Sequence, residues 1–92
     1  MKNYSINKTP FQVQLELAER FRKIRKSKKL SQSQLADKSG VSYGSIRRFE
    51  YTGQISLESL LKIAHLFDRL DDFDSIFTIN EDLKKIEKLF NQ

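Results

Sequence analysis

The stretch LSQSQLADKSGVSYGSIRRFE, Leu30 to Glu50, holds two helix starts separated by a single glycine turn. Ser31 stands where a hydroxyl caps a helix over residues 32–39, with Leu35 and Ala36 on its inner side. Gly40 follows as the left-handed residue that ends this helix, since a missing Cβ removes the steric cost of that conformation. Ser42 caps the next helix, residues 43 to about 51, whose inner face is Ile46 and Phe49. Gly44 lies within that helix, where it costs roughly 0.5–1 kcal/mol relative to alanine. Tyr43, Gly44, Arg47 and Arg48 share the opposite face, three and four residues apart. The segment combines a helix held from below with an outer face that is poor in helix support and rich in positive charge.

Working outward, Thr9-Pro10-Phe11-Gln12 is a helix start, with Thr9 as N-cap, Pro10 at the first helical position and Gln12 closing a capping box. From there to about residue 28, Leu17, Ala18, Phe21 and Ile24 form one stripe, which Val13 and Leu15 extend less regularly. Gly53 breaks the chain, and Ser56 opens a fourth helix in which Leu57, Leu60, Leu61 and Ala64 line one side as far as Phe67. A fifth helix is expected over residues 70–77, presenting Leu70, Phe73 and Phe77, with acids in its first turn where the dipole favours them. Residues 80–90 carry the pattern of a sixth: Glu81 and Asp82 lead, Lys84, Lys85 and Lys88 trail, and Leu83, Ile86 and Phe90 fall on one side. Strand signals are confined to short pairings at residues 4–6 or 77–79. The fold class is therefore all-α, with an arm over residues 1–9, a helical domain over 10–77 and a C-terminal extension over 78–92.

Ninety-two residues suit one small domain with tails. The absence of cysteine excludes disulfides and thiolate chemistry and fits a reducing cytoplasm. No apolar run is long enough for a signal sequence or a membrane span, so a soluble cytoplasmic protein is expected. The net charge is +5, and its distribution is uneven. Residues 14–53 hold ten Lys/Arg against four Asp/Glu, whereas residues 54–92 hold five against eight. A basic half joined to an acidic half predicts a polyanionic partner for one surface and a different contact for the other. His65 is the only histidine, and no metal-ligand spacing, phosphate-binding glycine loop or nucleophile–base pair accompanies it. Asp71, Asp72 and Asp74 point apart at helical spacing. Neither a cofactor nor an enzymatic activity is expected.

The two short helices over residues 32–49, joined through Gly40, form a helix-turn-helix arrangement. Its second helix stands proud of the body and can enter a DNA major groove. Together with SLESLLKIAHLF downstream, the motif LSQSQLADKSGVSYGSIRRFE resembles the Xre family of regulators, the Cro and C1 repressor type, over roughly residues 14–77. The resemblance implies a five-helix, lambda repressor-like bundle that binds double-stranded operator DNA as a homodimer. It further implies base contacts from Tyr43, Gly44, Arg47 and Arg48, with Arg47 also able to reach a flanking phosphate. Phosphate contacts are implied for Gln32, Ser42, Ser45, Arg25, Lys29, Tyr51 and Thr52, and Glu50 is expected to pair with a cation of the first helix. The family often has glutamine or another polar group where Tyr43 and Gly44 stand, so its base code does not carry over. Phe73, Phe77, Leu83, Ile86 and Phe90 are the expected dimer or partner contacts. SIRRFE and the ending LDDFDSIF are also similar to HipB-like antitoxins, which implies a HipA-type kinase toxin as an alternative partner.

Overall fold

Hydroxyl caps set where each helix begins. The computed structural model describes residues 8–79 and residue 89, and within them the chain forms α1 (Pro10–Ser27), α2 (Gln32–Ser39), α3 (Tyr43–Thr52) and α4 (Leu57–Leu66), followed by a 3-10 turn, Leu70–Phe73. The N-caps Thr9, Ser31, Ser42 and Ser56 are all extended, and each side chain accepts the N–H three residues on. Such a cap contributes about 1 kcal/mol. The expected capping box at Thr9–Gln12 is present, and a second closes α2, where Gln34 Oε1 accepts from the Ser31 N–H at 2.8 Å. Gly40 and Gly53 end α2 and α3 in the left-handed conformation, at φ 79° and 80°.

The apolar stripes meet in a core of two adjoining clusters. Leu35, Val41, Ile46, Ile63 and Phe67 form one, and Ala18, Phe49 and Leu60 the other. Phe21 of α1 and Ile55 pack against both. The Phe21 ring meets Phe49 edge-on at 5.6 Å and lies 5.8 Å from Phe67. Thus α1 is the support on which α3 rests, while α2 packs on α3 and α4. None of the described helices is long and apolar enough to cross a membrane.

The expected fifth α-helix is not formed. Leu70–Phe73 makes one 3-10 turn, the Arg69 side chain before it pairs with Asp72 and caps no backbone N–H, and turns follow as far as Phe77. Aspartate is a weak helix former, and three of the five residues from Asp71 to Ser75 are aspartates. Only Phe73 of this segment packs on the core, so too little apolar surface is buried to override that preference. Phe77 sits at φ 61° and is 96% exposed. No strand forms over residues 77–79. The pairing expected at residues 4–6 and the sixth helix, with Leu83, Ile86 and Phe90, lie outside the described residues.

Gly53 does more than end a helix. A Cβ at this position would lie 2.8 Å from Gln14 Cβ and 2.9 Å from the Gln14 carbonyl carbon, so the end of α3 rests on the backbone of α1. At Gly40, by contrast, a Cβ would meet nothing within 4 Å. Gly53→Ala should therefore cost about 2 kcal/mol or more, from strain and overpacking together. Gly40→Ala should cost only about 1 kcal/mol, from the backbone conformation alone. Urea denaturation of the two variants measures the difference, and equal losses would mean that the α1 contact adds nothing.

Candidate nucleic-acid interface

Burial divides α3 into two faces. Ile46 and Phe49 are 1% and 2% exposed, whereas Tyr43, Gly44, Arg47, Arg48 and Tyr51 all stand at the surface. A Cβ on Gly44 would meet nothing within 4 Å, so packing does not demand a glycine there. The Arg47 guanidinium lies over the Tyr43 ring, 5.8 Å from its centroid, within cation–π range. Arg48 points the other way along the surface, where Nε and Nη2 donate to Gln54 Oε1 at 3.0 and 2.6 Å. Among the described residues, neither arginine forms an ion pair, so both keep their charge on the outer face. This face continues into an open groove bounded by Arg22 of α1 and by Gln32 at the start of α2.

Beneath the groove lies a buried ion pair. Arg25 Nε and Nη2 donate to Glu50 Oε2 and Oε1 at 2.7 and 3.0 Å, and Arg25 Nη1 donates to the Leu30 carbonyl at 2.8 Å. Glu50 thus has the α1 cation expected for it. The expectation that Arg25 contacts phosphate must be corrected: the residue is 7% exposed, and each guanidinium nitrogen is already engaged inside the fold. The signal was in the stripe, because Ala18, Phe21 and Arg25 follow the i, i+3, i+7 spacing of one helix face. Gln32 joins the same network, its Nε2 donating to Glu50 Oε1 at 3.0 Å. One amide hydrogen and the carbonyl oxygen of Gln32 remain for other partners, and its backbone N–H belongs to the unpaired first turn of α2.

The remaining expected contacts fall into two groups. Lys29, at φ 59°, and Tyr51, 87% exposed, present their side chains to solvent. Three hydroxyls are engaged in the fold. Ser42 Oγ accepts from the Ser45 N–H and donates to Ser45 Oγ, and Thr52 Oγ1 donates to the Arg48 carbonyl at 2.6 Å. One groove residue, Arg22, and one residue outside the groove, Gln54, were not among the expected contacts. Arg22 precedes Arg25 by three residues and so faces the same side, and Gln54 becomes visible only when the turn after Gly53 brings it to Arg48. Of the expected dimer contacts, Phe73 is half-buried against Ala18, Phe49 and Leu60 of its own chain, which removes much of it from an outside partner.

Burial alone pushes the Glu50 carboxyl up. Hydrogen bonds from Arg25 and Gln32, with the charges of Arg25 and Arg22, outweigh that effect and hold it below its ordinary value of 4.5. Between the depressed and the ordinary value the unfolded chain binds the proton and the folded one does not. The stabilisation is therefore complete above the ordinary carboxylate range and is lost as pH falls through the depressed value. Melting temperature should drop on acidification below about pH 4.5. Glu50→Gln leaves Arg25 buried without its counter-charge and should cost about 3–5 kcal/mol near neutrality. Thermal melts between about pH 3 and pH 7 should also show a shallower acid slope in the variant. An unchanged slope would assign the acid transition to other carboxylates.

A family model described as helix-turn-helix matches residues 21–73. No curated protein and no solved structure matches the chain. The matched segment runs from Phe21 of α1 through α2, α3 and α4 to the 3-10 turn, which is more than half of the sequence. With two short helices joined at Gly40 and the second one resting on α1, the chain belongs to the Cro/C1-type helix-turn-helix family of DNA-binding regulators, the Xre family.

Proposed function

We propose that this chain is a cytoplasmic transcriptional repressor that acts as a dimer on a pseudo-palindromic operator in double-stranded DNA. The observation that carries the reading is the outer face of α3: two arginines that form no ion pair among the described residues, an exposed tyrosine and a glycine that packing does not require. In this reading Tyr43, Arg47 and Arg48 meet base edges, and Gly44 gives the helix clearance to approach the groove floor. The first turn of α2 at Gln32 meets a phosphate through its unpaired N–H groups. Ser42, Ser45, Lys29, Tyr51 and Thr52 flank the groove as further backbone contacts, with Arg22 taking the place of Arg25. A single recognition helix reads only a few base pairs, so useful specificity calls for two, spaced about 34 Å apart.

Support for a protein contact lies at the far end of the chain, where Ile76, Phe77 and Ile79 are 52%, 96% and 57% exposed. A second copy is the occupant favoured here, with the Leu83, Ile86 and Phe90 stripe contributing to the same contact. The same exposed residues favour one further reading, an antitoxin that captures a HipA-type kinase and represses its own operon. Co-expression with a neighbouring kinase gene separates the two. A stable heteromeric complex supports the antitoxin, and a homodimer in the presence of the kinase supports the plain repressor.

Selection of binding sites from random duplex DNA tests the main reading, and recovery of no shared sequence would overturn it. Affinity should fall steeply as salt rises, because neutralised phosphates release counterions, and a flat dependence would remove the phosphate contacts. Arg48→Ala should cost about 1–3 kcal/mol of discrimination at one base position. Uniform weakening over all sequences would reassign Arg48 to phosphate. Gly44→Ala should stabilise the fold by about 0.5–1 kcal/mol yet weaken DNA binding. Unchanged or tighter recognition would dismiss the clearance role.

A further inference from the structure

Gln54 lies between α3 and α4, outside the recognition helix, yet its Oε1 receives two hydrogen bonds from Arg48. The oxygen must be the atom on that side, because an amide nitrogen has no lone pair to offer a guanidinium. The Gln54 backbone is itself held in place. Its N–H donates to Thr52 Oγ1 at 3.2 Å, and that hydroxyl donates to the Arg48 carbonyl at 2.6 Å. Gly53, the residue before it, donates its N–H to the Phe49 carbonyl at 2.7 Å and rests against Gln14. The acceptor for Arg48 therefore stands on a turn anchored to both α3 and α1.

Of the five N–H groups on Arg48, two are engaged by Gln54, and the three others, on Nη1 and Nη2, have no partner among the described residues. Because the partner is a neutral amide, the arginine keeps its full charge. A carboxylate in the same place would offset that charge next to the DNA backbone. Arg47 makes a useful contrast: it lies over the Tyr43 ring, and among the described residues its guanidinium has no hydrogen-bond partner. One arginine of the outer face has its fork fixed from outside the helix, and the other does not.

We propose that Gln54 is a positioning residue that fixes the guanidinium fork of Arg48, so that the base preference carried by Arg48 depends on a side chain beyond the recognition helix. The proposal rests on the DNA-reading role given to Arg48 above. Base-preference profiles over randomised duplexes, measured with the full chain, compare wild type with Gln54→Ala, Arg48→Ala and the double variant. Gln54→Ala should reduce discrimination by about fivefold or more, and only at the position that Arg48→Ala also relaxes. The salt slope should stay unchanged, and the melting temperature should stay within about 2 °C. The double variant should match Arg48→Ala alone. Gln54→Glu, which keeps the acceptor, should preserve the preferred base while lowering affinity on all sequences. Several results overturn the proposal: uniform weakening by Gln54→Ala with a smaller salt slope, additive losses in the double variant, no change at all, or loss of the preferred base in Gln54→Glu. A wild-type profile without any base preference overturns the DNA-reading role itself, and the proposal with it.

Discussion

The bidentate pair between Arg25 and Glu50 is the contact through which the three N-terminal helices share one geometry. Arg25 comes from α1, Glu50 from α3, Gln32 from the first turn of α2, and the Leu30 carbonyl from the connection between α1 and α2. Removing two charges from water is costly, and only good geometry with full hydrogen bonding offsets it. Both conditions hold here: no buried side-chain nitrogen or oxygen among the described residues lacks a partner. A pair of this kind adds little net stability compared with apolar packing, but breaking it leaves a buried charge without its partner. If α3 rotated or slid, a charge would be left buried alone. The ion pair therefore fixes the angle at which the outer face of α3 is presented.

That constraint explains the composition of α3. Its inner residues, Ile46 and Phe49, lie in two different core clusters, so the helix is pinned along its length rather than at one point. The Ser42 cap and the left-handed Gly53 define its ends. With ends, angle and inner face fixed by other residues, the outer face has no structural duty. A glycine and a pair of adjacent arginines can stand there without unfolding the helix. The acidic segment after α4 lies at the opposite extreme, with Phe73 as its one partly buried apolar side chain among those described.

Local signals were legible in the sequence, and relational ones were not. The hydroxyl caps, the left-handed Gly40, the break at Gly53 and the starts of all four α-helices follow from residues acting within three positions of their own, which is information any short window contains. The inward stripe was legible for Leu35, Ile46 and Phe49, because apolar residues announce burial. Arg25 occupies the same stripe as Ala18 and Phe21, but an arginine announces solvent, and its burial also needs Glu50, twenty-five residues later, as its partner. The 70–77 segment misleads for the opposite reason. Its aromatic spacing is helical, but whether the helix forms depends on how much surface the bundle offers it, and only Phe73 finds any. Gln54 needed the fold as well, since its meeting with Arg48 depends on the turn at Gly53.

The contact between Gly53 and Gln14 has a consequence for how such a domain changes over time. It sets the main chain at the end of α3 against the Cβ and main chain of Gln14, so the seat of α3 does not depend on the side chains of its outer face. Tyr43, Gly44, Arg47 and Arg48 can be exchanged as a set while the seat, the cap and the ion pair remain as they are. If these residues read DNA as proposed, a lineage built on this scaffold can change the sequence it reads by a few surface substitutions. The absence of a single methyl group at position 53 lets α3 sit this close to α1 whatever its outer face carries.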